Sequence, residues 1–334
     1  MRICKSLLVI LIAASLLGAC SPPATPDAAS TQVAQATEPR TAPTEPATQG
    51  IPTEAPTIGA ATETATAIPT EQPTAKPQPT PVSVQVHERI QYGASGNQVL
   101  DVYQPQVEGE RPPTLLLVHG RGSSKDLLGY FANYFARRGY AVVAFNKGLG
   151  QYPSRERDSF CALAWIHSSA DTYGFDPERV VLVGFSLGGA QAAFLGTVDD
   201  TAKFMEGCPH SLPREHYLRG VVAVAGYFDY TALIGRGGDY IPTYFGPPEE
   251  NMEELIEASP VTWVDGTEPP FLLVHGENDH VVDPVLSVEF AARLSEAGVD
   301  VELVLLPNLA HEMIEKSPEV LSEVIDFLDR LFSK

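Results

Sequence analysis

Ser186 has the most chemistry assembled around it. It stands in Gly184-Phe185-Ser186-Leu187-Gly188-Gly189, after the apolar run Val180-Val181-Leu182-Val183 and before a helix-like run from Leu187 to Gly196. Where a strand turns sharply into a helix, a Cβ at either flank clashes, and Gly184 and Gly188 meet that need. Such a turn lifts the serine hydroxyl above the strand end, at a helix N-terminus that stabilises developing negative charge. A hydroxyl needs a base to take its proton and a carboxylate to orient that base. Two loops downstream offer these groups. Phe271-Leu272-Leu273-Val274-His275 runs into Gly276-Glu277-Asn278-Asp279, and Val301 to Leu305 runs into Leu306-Pro307-Asn308-Leu309-Ala310-His311. Loops at the C-terminal ends of parallel strands are where open sheets place their sites. Asp279 and His311 are the candidate acid and base. His275 and His280 are rival histidines, but His275 ends a strand and His280 adjoins the loop of the acid. Asp283 precedes Pro284 and fits a helix N-cap. Asp229, beyond the strand Val221–Ala225, stays an alternative acid.

Acyl transfer also needs donors already aimed at an oxyanion. One is the backbone N–H of Leu187, after the serine. The other is expected from His119-Gly120-Arg121-Gly122-Ser123-Ser124, which follows the strand Leu115–Val118. Arg121 N–H is the first choice and Gly122 the alternative. His119 is expected to hold this turn rather than act as a base. The scheme requires no cofactor and no metal, and no CxxC or HxxxH cluster suggests a zinc site.

Elements able to position these groups alternate along the chain. Apolar strand-length runs lie at Leu115–Val118, Ala141–Phe145, Val180–Val183, Val221–Ala225, Phe271–His275 and Val301–Leu305. Helical spacing lies at Leu127–Arg138, Arg155–Tyr173, Leu187–Gly196, Pro284–Ala297 and Pro318–Phe332, with Asp176-Pro177 expected to break the chain after the second helix. Such alternation predicts an α/β domain over residues 82–334, a mostly parallel sheet with helices on both faces. Runs at Val84–Gln91 and Val99–Tyr103 are expected to add antiparallel edge strands. The stretches 197–219 and 228–265 interrupt the alternation, either as covers over the site or as surface excursions.

The N-terminal residues are a different material. Met1-Arg2-Ile3-Cys4-Lys5 is basic, and Ser6 to Gly18 is apolar but too short for an ordinary membrane span. Leu17-Gly18-Ala19-Cys20 resembles a bacterial lipobox, which implies cleavage after residue 19 and acylation of Cys20. Residues 20–81, rich in Pro, Thr, Ala and Glu, cannot bury enough apolar surface to fold and are expected to be a disordered tether. The reading is an exported, extracytoplasmic lipoprotein anchored to the membrane through Cys20. With Cys4 cleaved away and Cys20 acylated, Cys161 and Cys208 remain in an oxidising compartment and are expected to pair. Lys plus Arg number 22 against 42 Asp plus Glu, a formal charge of −20. Such a surface argues against nucleic acid as a partner.

Several of these residues together resemble the α/β-hydrolase superfamily: Leu100-Asp101-Val102-Tyr103 with Pro105, His119-Gly120, Gly139-Tyr140-Ala141-Val142, Asp158 with Trp165, the Ser186 turn, His275-Gly276 with Asp279, and His311. The opening half is similar to the carboxylesterase branch, which includes feruloyl and acetylxylan esterases, and the serine turn also looks like that of dienelactone-hydrolase-type proteins. The resemblance implies the α/β-hydrolase fold, the chain order serine, acid, histidine, and a small-molecule or polymer-linked ester as substrate. The chain departs from the esterase branch at two places. His119-Gly120-Arg121-Gly122 replaces HGGG, and Phe145-Asn146-Lys147 replaces an Asp-Tyr-Arg-like run. Two other functions compete with the esterase: a prolyl-oligopeptidase-like peptidase, which normally carries a propeller before the hydrolase domain, and an inactive surface binding module.

Overall fold

The computed structural model describes residues 80–148, 150–213, 218–235, 240–314 and 317–333. All of them fall in the second of two compact units, Pro73–Lys334. The expected signal peptide (1–19), Cys20 and the tether as far as residue 79 lie outside the described residues.

Eight strands form one sheet among the described residues: β1 (Val84–Gln91), β2 (Val99–Pro105), β3 (Pro113–Val118), β4 (Ala141–Phe145), β5 (Asp176–Phe185), β6 (Leu218–Val224), β7 (Phe271–Gly276) and β8 (Val301–Leu306). Their order is β1-β2-β4-β3-β5-β6-β7-β8. β1 and β2 join antiparallel, and the other six run parallel. The helices are α1 (Gly129–Ala136), α2 (Ser154–Tyr173), α3 (Leu187–Thr197), α4 (Tyr240–Phe245), α5 (Met252–Ala258), α6 (Val285–Glu296), α7 (His311–Ile314) and α8 (Pro318–Phe332).

The period-two alternation of the strands divides the core. Leu115 and Leu117 of β3, with Val181 and Val183 of β5, pack against Phe131 and Phe135 of α1 and Val324 and Phe327 of α8. Leu116, Val118 and Leu182 face the opposite way, toward Phe160 of α2, Phe194 of α3 and Phe290 of α6. Both faces are covered, which is why the central strands are apolar on every residue. Register then aligns the strand ends. Phe185 pairs with Val224, Val224 with Val274, and Gly276 with Leu306. The loops beginning at Ser186, Glu277 and Pro307 thus leave the sheet along one edge.

Several boundaries differ from expectation. The helix expected from Leu127 begins as a 3-10 turn, Lys125–Leu128, and becomes α-helical only at Gly129. The expected break at Asp176-Pro177 is instead the start of β5; the pairing slips between Pro113 and Thr114, so Pro177 enters where no regular ladder N–H is required. β6 begins earlier, at Leu218, and stops at Val224 because Ala225 takes a positive φ of 49°. The two interrupting stretches hold a 3-10 turn at Ala202–Met205, and then a 3-10 turn at Thr231–Leu233 followed by α4, α5 and a 3-10 turn at Pro260–Trp263. Cys161 of α2 and Cys208 are joined by a disulfide, with Cα atoms 5.5 Å apart.

Candidate active site

Ser186 sits between β5 and α3 with φ 55° and ψ −122°, a region that non-glycine residues rarely occupy. Its N–H donates to Val224 O at 2.8 Å, which fixes the strained residue to the neighbouring strand. The glycines are steric necessities. A Cβ on Gly184 would lie 2.0 Å from Gly188 O, and one on Gly188 would lie 2.0 Å from Val118 O and 2.7 Å from His119 O. The second clash shows how tightly the end of β3 abuts the first turn of α3. That packing brings the turn after His119 beside the serine.

His311 opens α7, and its Nε2 lies 3.0 Å from Ser186 Oγ. Its Nδ1 lies 2.6 Å from Asp279 Oδ2. An ionised carboxylate only accepts, so the proton resides on Nδ1 and Nε2 is left to accept from the serine hydroxyl. Asp279 is 5 % exposed. Burial alone would raise its pKa, but His275, His311 and the N–H groups of Val282 and Val281 all stabilise the anion. The balance holds it well below the usual carboxylate range. The two loops are laced together, with Glu277 N–H on Leu306 O at 3.0 Å and Asn278 N–H on Leu309 O at 3.1 Å. A Cβ on Gly276 would come within 2.2 Å of Leu309 O, so this crossing requires glycine.

The rivals have other work. Asp229 Oδ1 accepts from Thr231 N–H at 2.9 Å and Thr231 Oγ1 at 2.6 Å, closing its own turn. Asp283 Oδ1 accepts from Val285 N–H at 3.0 Å at the start of α6. His280 is exposed. His275 is buried behind the acid; its Nε2 faces Asp279 Oδ2 at 3.2 Å and Val282 O at 3.1 Å, and its Nδ1 meets Ser287 Oγ at 2.7 Å. Two acceptors on one side place the proton on Nε2, so His275 donates to the carboxylate that also holds His311.

The turn after β3 is braced from beneath. His119 Nδ1 donates to Gly120 O at 2.8 Å, while Lys147 N–H approaches Nε2 at 3.4 Å and the Lys147 ammonium binds His119 O. Burial, the Lys147 charge and that of Arg155 push the His119 pKa down to about 3, against the Gly120 hydrogen bond, so its ring is neutral at ordinary pH. Lys125, also buried, grips Asp101 of β2 at 2.7 Å, and its N–H donates to Asn146 Oδ1 at 2.9 Å. Asn146 and Lys147, where the chain departs from the esterase pattern, thus fasten this turn. Asp158 completes the brace by accepting from Gly148 N–H at 2.5 Å and Gln98 Nε2 at 2.6 Å. Arg121 and Gly122 stand at its exposed tip.

Sequence reasoning missed Lys125, His275 as a donor to Asp279, and the aromatic pair beside Arg121. Tyr240 of α4 lies 5.3 Å from the Arg121 guanidinium and 6.0 Å from the Tyr227 ring. Burial and the charge of Asp279 push the Tyr227 hydroxyl up, partly opposed by Arg121. The stretch 228–265 thus reaches the Arg121 side chain through Tyr240. The stretch 197–219 is tied to α2 by the disulfide and packs Phe204 on Phe160 and Phe194. Among the described residues no group of three or more His, Cys, Asp or Glu is arranged to hold a metal ion.

Comparison with known proteins adds three findings. The BD-FAE family model matches residues 100–294. Two proteins of Mycobacterium tuberculosis are similar: a probable carboxylic ester hydrolase, LipM, 27% identical over 48% of this chain and 38% of its own length, and the esterase LipC, 25% identical over 68% of this chain and 60% of its own length. The chain thus spans less than two thirds of either relative. Among solved structures, a bifunctional GH43-CE protein of Bacteroides eggerthii superposes with a TM-score of 0.66 at 25% identity, over 74% of this chain and 35% of that one.

Proposed function

We propose that this chain, which belongs to the BD-FAE family, hydrolyses carboxylic esters through an acyl-enzyme on Ser186. The observation that carries this reading is the continuous relay from Ser186 Oγ through both ring nitrogens of His311 to a buried, ionised Asp279. His311 Nε2 takes the serine proton as Oγ attacks the ester carbonyl, and returns it to the departing alcohol. Asp279 keeps the productive tautomer and stabilises the imidazolium that forms. Leu187 N–H and Arg121 N–H, with Gly122 the alternative, receive the oxyanion; one such donor is worth roughly a hundredfold or more in kcat. Water then enters by the same base and releases the acid. A screen of p-nitrophenyl esters of graded acyl length tests this. The wild type should turn over short esters, and Ser186→Ala should lose nearly all of that activity.

The esterase is further proposed to be exported and tethered. The basic, apolar and Gly-Ala-Cys succession supports acylation at Cys20. Fully extended, the Pro/Thr-rich stretch would carry the hydrolase domain up to about 190 Å from the membrane. Labelled palmitate should enter the wild type and not Cys20→Ala. Esters on small molecules or on polymers near the cell surface are the substrates such a tether suits.

A further inference from the structure

Beneath α4, four buried polar atoms lack hydrogen-bond partners: Arg155 Nη1, Gln191 Nε2 and Oε1, and Tyr240 Oη. They come from the first turn of α2, from α3 below Ser186, and from the start of α4. Leaving such a group unpaired costs about 1–3 kcal/mol, so a cluster of them implies an occupant. Arg155 is the charged member. It is 8 % exposed, and its guanidinium lies 3.9 Å from the Tyr244 ring. Among the described residues no carboxylate pairs with it, whereas the equally buried Lys125 holds Asp101 at 2.7 Å. Glu156, the next residue, accepts from Tyr244 Oη at 2.6 Å. Gln191 faces that carboxyl without reaching hydrogen-bond geometry. Burial pushes the Glu156 carboxyl up, opposed by Tyr244, its own backbone N–H, Arg155 and Gln191, so it is disfavoured as a full counter-charge to the guanidinium.

The cluster borders the turn after β3 that offers the second oxyanion donor. Arg155 is close enough to His119 to depress its basicity; Tyr240 feels Arg155 and Glu156, its ring meets Arg121, and the Tyr230 hydroxyl faces its own without reaching hydrogen-bond geometry. We propose that Arg155, with Gln191 and Tyr240, binds a carboxylate that the ester substrate carries beyond its scissile bond. This rests on the esterase reading above. A guanidinium presents two parallel donors that fit a carboxylate, and the amide and phenol can supply the remaining hydrogen bonds. One guanidinium with no ion pair among the described residues matches a monoanion; a phosphate dianion would bring a second charge into a chain of net charge −20. The rings of Tyr230, Tyr240 and Tyr244 offer apolar walls to a short hydrocarbon spacer.

Two substrate pairs test this and distinguish where the anion lies. For the acyl side, p-nitrophenyl valerate is compared with mono-p-nitrophenyl glutarate, which exchanges a terminal methyl for a carboxylate. For the alcohol side, phenyl butyrate is compared with para-carboxyphenyl butyrate. The wild type should favour the anionic member of one pair by about tenfold or more in kcat/KM, the value of one charge-assisted hydrogen bond. Free glutarate should compete against valerate. In Arg155→Gln that anionic-to-neutral ratio should fall at least about tenfold, while Arg155→Lys should retain part of it. If Arg155→Gln does not fold, the wild-type ratios and glutarate competition decide. Cleavage of neutral esters with no anionic preference and no competition would mean that the cluster holds only water, and the proposal would fall while the esterase reading stood. Retention of the preference in Arg155→Gln would also overturn it. Failure to cleave any of the esters would remove the esterase reading, and this proposal with it.

Discussion

Asp279 receives more hydrogen bonds than the orientation of one imidazole requires. His275, Val281 and Val282 all donate to it besides His311. The surplus keeps the carboxylate ionised while burial works against it. Asp279→Asn retains much of the shape but presents the wrong partner to His311 Nδ1, so kcat should fall by about 10⁴-fold with the fold intact. Stability should respond to acid in a defined direction. The folded carboxyl titrates below its unfolded value, so its contribution is complete above about pH 5 and is lost as pH falls through the folded pKa. Melting curves should therefore show the wild type losing its advantage over Asp279→Asn between about pH 5 and about pH 2. A difference that stayed flat with pH would mean that Asp279 is not held ionised. Ser186, Asp279 and His311 were legible in the sequence because each follows an apolar strand and two glycines, Gly184 and Gly276, mark turns that tolerate no Cβ. The second donor, His275, was not; its alignment with Asp279 depends on the loop curling back over its own strand.

At the scale of elements, the turn after β3 depends on partners distant in the chain. Lys125 reaches Asp101 on β2, and Asn146 and Lys147 reach up from the end of β4. No periodicity announces such contacts. The one visible sign was that Asn146-Lys147 stands where related esterases carry another run. Strand order puts β4 between β2 and β3, so the end of β4 lies next to the turn it supports. Lys125→Met leaves Asp101 buried with its charge unpaired, and should cost about 3–5 kcal/mol. Chemical denaturation can measure this, and the Asp101→Asn/Lys125→Met double variant should recover a substantial part. If the single and double variants are equally unstable, the ion pair is not what the lysine contributes. Strand positions were legible because burial on both faces makes them apolar throughout. Helix starts were less so, since the 3-10 entry at Lys125–Leu128 shares the apolar spacing of the helix it precedes.

For the whole molecule, the sheet, its two helical layers and the candidate site all lie between Val84 and Phe332. A protein beginning near Val82 should therefore fold and keep the kcat/KM of the full chain on a soluble ester, with the N-terminal segment affecting location alone. Loss of activity in that shortened protein would give the segment a catalytic part that this account does not assign to it. The central claim is that Ser186 is the group acylated during turnover. A fluorophosphonate, which reacts with a serine only where base and oxyanion donors are in place, tests this most directly when followed by peptide mass mapping. A single adduct is expected on the peptide that carries Ser186, slowed by orders of magnitude in His311→Ala and absent in Ser186→Ala. An adduct on another residue, or unchanged labelling of Ser186→Ala, would contradict it.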